Sequence, residues 1–130
     1  MSISKPLALV IEDDPDAAEI FSKAVLDAGF EVEVIMTGDE ALNKLQTLRP
    51  ALVVLDMHLP HVAGTEILEY ARSSAQLAST RFIIITGDLA LANEPAFQHE
   101  DVVQILVKPV TYKRLRDLAQ FLRAAERGIM

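Results

Sequence analysis

Four short pieces of this 130-residue chain carry groups able to handle a divalent cation and a phosphoryl group: Glu12-Asp13, Asp56, Thr86 and Lys108-Pro109. Together they offer three carboxylates, a hydroxyl and an ammonium. Clustered carboxylates repel one another unless they are protonated or bridged by a cation. A hard, oxygen-ligated ion such as Mg²⁺ is the natural bridge, because it retains waters and uses a few carboxylates plus phosphate oxygens. Three carboxylates against one Mg²⁺ and one lysine leave such a pocket neutral only when both cations are present. An arriving phosphoryl group adds negative charge for Lys108 and the metal to bind. A carboxylate can also attack phosphorus to give an acyl phosphate, and in-line phosphoryl transfer needs mainly positioning and charge neutralisation.

The four pieces belong together because each closes an apolar run: LALVI before the acids, ALVVL before Asp56, FIII before Thr86 and ILV before Lys108. In an open parallel sheet the carboxyl ends of the strands share one edge, and ligands bind there. Singly, each piece also has a plainer reading. Acids favour helix N-termini, and Asp14 and Asp16 read as helix-capping residues only. Asp56 alone reads as the polar stop of a strand, and Thr86 as an ordinary strand residue. Pro60 and Gly64 shape the loop after Asp56 so that its carboxylate stays uncovered. Gly87 allows close backbone approach beside Thr86. A buried lysine needs a partner, which the acid cluster supplies, and a cis bond at Lys108-Pro109 is open. Of the three histidines, His61 and His99 read as solvated surface, and His58 flanks the mouth of the pocket.

The elements that must position these groups follow from hydrophobic pattern. Strands are predicted at about 6–11, 31–35, 51–55, 81–86 and 103–107, rich in Val, Ile and Leu. Four lack polar alternation, as expected of strands buried on both faces. The second, Glu31-Val32-Glu33-Val34-Ile35, alternates and reads as an edge. A first helix is predicted from Pro15 to Ala28, with Asp14 as N-cap, Gly29 as C-cap, and Ile20, Phe21, Ala24, Val25 and Ala28 as its core stripe. A second follows Thr37 or Gly38 and stops before Pro50, with Ala41, Leu42, Leu45 and Leu48 inward. A third starts near Gly64 and carries Ile67, Leu68 and Ala71. The last follows Thr111, with Leu115, Leu118, Ala119 and Leu122 inward. Between Gly87 and Asp101 Pro95 interrupts the pattern, and a short, broken or mobile helix is expected. Residues 127–130 read as a frayed tail. Strand-helix alternation repeated five times points to an α/β protein, a doubly wound parallel sheet with helices on both faces in three layers.

Composition sets the limits. Hydrophobic residues make up 51% of the sequence, which excludes a disordered chain, and the length suits one domain over 1–130 with its core at about 7–127. There is no cysteine, hence no disulfide and no zinc-thiolate site. The net charge of −7 argues against a nucleic-acid footprint. No stretch is long enough to span a membrane, and the opening MSISKPLALVIEDD lacks the pattern of an export signal. The expected compartment is the cytoplasm, and the start at Met1 favours a stand-alone protein.

From about Leu7 to Arg127 the chain resembles the receiver domain of two-component response regulators. The resemblance rests on Ile11-Glu12-Asp13-Asp14, on Leu55-Asp56-Met57-His58-Leu59-Pro60 with Gly64, on Ile85-Thr86-Gly87 and on Val107-Lys108-Pro109, in that order and spacing. It implies five parallel strands in the order 2-1-3-4-5 with five helices. It implies that Asp56 is phosphorylated by a phosphohistidine on a sensor histidine kinase or histidine phosphotransfer protein. Mg²⁺ would be held by Glu12, Asp13, Asp56 and the backbone carbonyl of His58, while Thr86 and Lys108 bind the phosphoryl group. Two departures stand out. Many receivers have an aromatic switch residue three positions before the lysine, where this chain has Ile105. The segment Gln98–Val103 also lacks a common Gly-Ala pair, so an ordinary fourth helix is not expected. Output is then expected through a remodelled fourth helix or another surface, such as the face of the first and last helices.

The leading expectation is a phosphorylation-controlled switch, not a metabolic enzyme, acting on an unidentified downstream protein and compatible with a homodimer. Three alternatives remain. A Mg²⁺-dependent phosphatase with an aspartyl nucleophile usually has a second acid two residues on, where this chain has His58. A flavin module would need a phosphate-cradling loop after the first strand, where Glu12-Asp13-Asp14-Pro15 would repel phosphate. A degenerate receiver used only for binding is opposed by the complete set of site residues and kept open by Ile105.

Overall fold

The computed structural model describes residues 5–126, so the expected frayed tail at 127–130 lies outside the described residues. Five parallel strands form one sheet: β1 (Leu7–Ile11), β2 (Glu31–Ile35), β3 (Leu52–Asp56), β4 (Arg81–Thr86) and β5 (Val102–Val107), in the spatial order β2-β1-β3-β4-β5. Three α-helices connect the first four strands, α1 (Pro15–Asp27), α2 (Gly38–Lys44) and α3 (Gly64–Ser73), and α4 (Tyr112–Glu126) follows β5. The fold class is the doubly wound three-layer sandwich expected from the sequence. The five helices implied by the resemblance are corrected to four. Between β4 and β5 the chain makes two 3₁₀ turns, Leu89–Asn93 and Pro95–Phe97, instead of an α-helix. Pro95 has no N–H to donate within a helix and disfavours the α conformation at Glu94; Glu94 is extended (φ −63°, ψ 128°).

Alternation along the strands divides the core in two. Leu9, Ile11, Val53, Leu55 and Ile84 face α2 and α3, where they meet Ala41, Leu45, Ile67, Leu68 and Ala71. Ala8, Val10, Val54, Ile83 and Ile85 face α1 and α4, against Phe21, Ala24, Val25, Leu115 and Ala119. Local chemistry bounds α1 where the sequence predicts. The Asp14 carboxylate accepts from the Asp16 N–H, Pro15 takes the first helical position, and Gly29 adopts φ 108° just past the end of α1, a conformation that favours glycine.

Three further expectations need correction. Ile20 is 46% exposed, because the inward face of α1 runs through Ala18, Phe21, Ala24 and Val25. The second helix ends at Lys44 in a looser turn, with Gln46 and Thr47 N–H groups donating three residues back, to Asn43 and Lys44. β5 is the second edge strand and is not buried on both faces: Gln104 and Val107 are exposed, and its register against β4 shifts between Phe82 and Ile83.

Candidate functional site

Backbone pairing carries the strand ends to a common edge. The Glu12 N–H donates to the Ile35 carbonyl (3.0 Å), the Met57 N–H to Ile85 (3.0 Å) and the Lys108 N–H to Thr86 (2.8 Å), so the ladder continues one residue past β1, β3 and β5. Asp56 lies opposite Ile85, and Thr86 opposite Val107. The side chains that follow the apolar runs therefore leave the sheet at the same height.

They converge. Carboxylate oxygens of Glu12, Asp13 and Asp56 lie within 4.8 Å of one another. Lys108 Nζ stands 3.4 Å from both Glu12 Oε1 and Asp56 Oδ2. Glu12, Asp56 and Thr86 are 1%, 2% and 0% exposed, whereas Asp13 is open to solvent. The Lys108-Pro109 peptide bond is cis. The loop after β3 makes a tight turn, with the Val62 N–H donating to the Pro60 carbonyl and His61 at φ 70°. Gly64 is needed beside that turn: a Cβ there would lie 2.6 Å from Met57 Sδ and 3.2 Å from Met57 Cα.

The electrostatics show what the site lacks. Both Glu12 oxygens are buried without a hydrogen-bond donor; the 3.4 Å to Lys108 is an ion-pair distance only. Burial first, then the neighbouring Asp56 carboxylate, pushes the Glu12 carboxyl up to about 8. Burial acts on Asp56 in the same sense, but the neighbouring Glu12 carboxyl, the His58 N–H and the Lys108 charge outweigh it and hold Asp56 below its ordinary value. Burial would lower Lys108, yet Asp56 and Glu12 overcompensate and raise it. All three acids offer hard oxygen donors, one of them with two orphaned buried atoms, and this donor set suits Mg²⁺.

On the other side of Asp56, its Oδ1 accepts from the His58 N–H at 3.1 Å. Thr86 Oγ1 accepts from the Asp88 N–H at 3.0 Å and lies 3.4 Å from His58 Nε2. Gly87 leaves open space, with nothing within 4 Å of where a Cβ would be. Ile105 is half-buried and packs against the core on the α2–α3 side. His61 and His99 are exposed, as expected.

This arrangement agrees with a family-wide sequence profile, described as the response regulator receiver domain, that matches residues 8–120. The chain belongs to the response regulator receiver family. Among curated relatives it is similar to the response regulator receiver protein Anae109_2439 of Anaeromyxobacter sp. (31% identical, covering 85% of this chain and 45% of that protein). It is also similar to the DNA-binding response regulator MtrA of Mycolicibacterium smegmatis (35% identical over 75 residues, 58% of this chain and 33% of that protein). The chain therefore spans less than half the length of these two relatives. Among solved structures it superposes on the chemotaxis response regulator CheY4 of Vibrio cholerae with a TM-score of 0.81 at 25% identity, covering 92% of this chain and 99% of that one. A CheY-like receiver domain from Methylobacillus flagellatus gives 0.79 at 26%, with the same coverage.

Receiver domains of this family are signalling phosphoacceptors of two-component systems, and phosphorylation and Mg²⁺ binding are typical of them. Among the described residues of this receiver no helix is long and apolar enough to cross a membrane. Sequence reasoning missed two members of its site. The His58 ring was placed at the pocket mouth without its Thr86 contact, and the Asp88 N–H was not foreseen. No sequence signal links His58 to Thr86, because they are 28 residues apart and meet only through the β3–β4 pairing.

Proposed function

We propose that this receiver domain takes a phosphoryl group on Asp56 from a phosphohistidine of a sensor histidine kinase or histidine phosphotransfer protein, and that the acyl phosphate controls a downstream protein. The observation that carries this reading is the position of Asp56: a buried carboxylate kept ionised between Lys108 and the His58 N–H, beside a second buried carboxylate whose oxygens lack donors. An Asp56 oxygen attacks phosphorus in line. The new O–P bond forms as the P–N bond breaks, and its electron pair leaves with the donor imidazole, which takes up a proton. Lys108 orients the transferring group through its ammonium, and Thr86 donates its hydroxyl proton to a phosphoryl oxygen. Glu12, Asp13, Asp56 and the His58 carbonyl would hold Mg²⁺, which neutralises charge on the transferring group when bound.

A groove of ≈ 490 Å³ between α1 and the segment after β5, lined by Ala17, Ile20, Gly87, Lys108 and Pro109 among others, opens beside the acceptor. Its apolar wall, with Ile20 exposed on it, offers a donor protein a surface next to Lys108. The chain acts as a switch in the cytoplasm and catalyses only its own phosphorylation and dephosphorylation. Incubation with Mg²⁺ and a small phosphodonor, followed by intact-mass measurement, tests the assignment. Wild-type protein gains one phosphoryl mass, and Asp56→Asn gains none. An undiminished adduct on Asp56→Asn would reject Asp56 as acceptor.

A further inference from the structure

We propose that the His58 imidazole is a positioning group that latches the Thr86 hydroxyl in the resting protein and must release it before Thr86 can reach a phosphoryl group on Asp56. The inference rests on the phosphoacceptor reading given above. Thr86 is fully buried, and its Oγ1 has one good donor, the Asp88 N–H at 3.0 Å. With the oxygen accepting that bond, the hydroxyl proton is free for an acceptor. Two are in reach, His58 Nε2 at 3.4 Å and the Asp88 carbonyl at 3.5 Å. The imidazole nitrogen is the nearer, and it accepts in the tautomer that carries its proton on Nδ1.

The same residue is tied to the acceptor. The His58 backbone N–H donates to Asp56 Oδ1 at 3.1 Å while its ring reaches Thr86. His58 thus spans the mouth of the site from β3 to β4. The contact uses the Thr86 proton that the phosphoryl group would need. Both bonds cannot be made at once, so the latch favours the unphosphorylated arrangement by its own free energy. A single hydrogen bond of this kind is worth a factor of about 2 to 10. The ring is exposed and the turn it sits on is independent of it, so its removal leaves the fold intact.

His58→Ala deletes the ring but keeps the N–H to Asp56 and the backbone carbonyl. Phosphorylation by acetyl phosphate with Mg²⁺, followed by intact mass, should then be about 2 to 10 times faster. Thr86→Val removes the hydroxyl that the ring holds, so adding His58→Ala to Thr86→Val should change the rate no further. A merely structural role for His58 would give the same increment in both backgrounds, and that result would overturn the proposal. The resting latch is read separately by imidazole ¹⁵N NMR of the unphosphorylated protein. The His58 Nε2 resonance should move toward that of a free acceptor nitrogen in Thr86→Val. An unmoved resonance, or an unchanged rate in His58→Ala beside normal adduct formation in wild type, sinks the latch alone. If wild type forms no adduct while the NMR shift is seen, the phosphoacceptor reading fails, and with it the role given to the latch.

Discussion

The two sides of the site are built differently. Glu12 and Asp56 end β1 and β3, which have a strand on each side and are packed by regular helices above and below; β1 and β3 are buried along almost their whole length. Thr86 and Lys108 end β4 and β5, where β5 is an edge and the covering segment is two 3₁₀ turns with Leu89 71% exposed. The first side is packed on both faces and holds two buried carboxylates side by side. On the second side β4 is as buried as β3, and only β5 and the segment before it are open to solvent. Regions of low local stability are the ones that open most readily, and β5 with the segment before it is the less buried part of this side.

The largest effect expected of this contrast comes from its two buried anchors. Ile67, fully buried in α3, represents the regular side, and Phe97, 3% exposed, is the one fully inward residue of the 3₁₀ turns. Truncation to alanine costs about 2–5 kcal/mol for Ile67 and about 3–5 kcal/mol for Phe97 in a rigid core. Ile67→Ala should lose that amount in global stability, measured by urea unfolding. Phe97→Ala should lose less globally, because residues 88–101 can open on their own; its mark is rapid hydrogen exchange confined to that segment. If both variants lower the urea midpoint alike with exchange unchanged at 88–101, the two halves are one cooperative unit and the contrast fails.

The same contrast explains what could be read from the chain. On the regular side the convergence of Glu12 and Asp56 was legible, because buried Val, Ile and Leu runs end abruptly at these acids, and strand geometry does the rest. Caps at Asp14 and Gly29 were equally local. Legibility fell where tertiary packing decides. Ile20 has helical spacing with Phe21 and Ala24, yet it borders the groove beside Pro109, which belongs to a distant segment. Pro95 announced a broken helix, but not that two 3₁₀ turns would be pinned by Phe97. The apolar letters of β5 suggested a two-sided burial that an edge position does not provide. The contact between His58 and Thr86 needs the pairing of β3 with β4, which no local signal encodes.

A medium effect sharpens the picture of the buried side. Metal-free Glu12 is raised from 4.5 to about 8 by burial and by Asp56, so the folded state holds this proton more tightly than the unfolded chain. Its contribution to stability is complete below 4.5 and is lost as pH rises through about 8. Mg²⁺ must displace the same proton, so its apparent affinity should rise with pH toward 8, by up to about tenfold per unit. Titration calorimetry in buffers of different ionisation enthalpy should detect proton release on metal addition. Glu12→Gln should weaken metal binding and flatten its pH dependence. A slope that survives in Glu12→Gln would place the proton elsewhere.

The smallest effect belongs to a charged tie that anchors the segment before β5. Arg72 of α3 grips Asp101 with two bonds of 2.8 Å, from Nε and Nη2, and so fixes the end of the 3₁₀ segment to the regular side. The Arg72 hydrogen bonds outweigh burial and hold the Asp101 carboxyl below its usual 3.8. Because the folded value is the lower one, the pair stabilises fully above 3.8 and loses its contribution as pH falls through the folded value. Both side chains keep about a fifth of their surface in water, so the pair is worth about 1 kcal/mol, the upper end for solvent-touched ion pairs. Arg72→Met should therefore lower stability at pH 7 by that amount and converge on wild type in strong acid. Exchange at 98–101 should quicken while β1 and β3 stay protected. If the amides of β3 quicken together with the segment, the tie supports the whole sheet, and the boundary between the buried strands and the open segment would have to be drawn elsewhere.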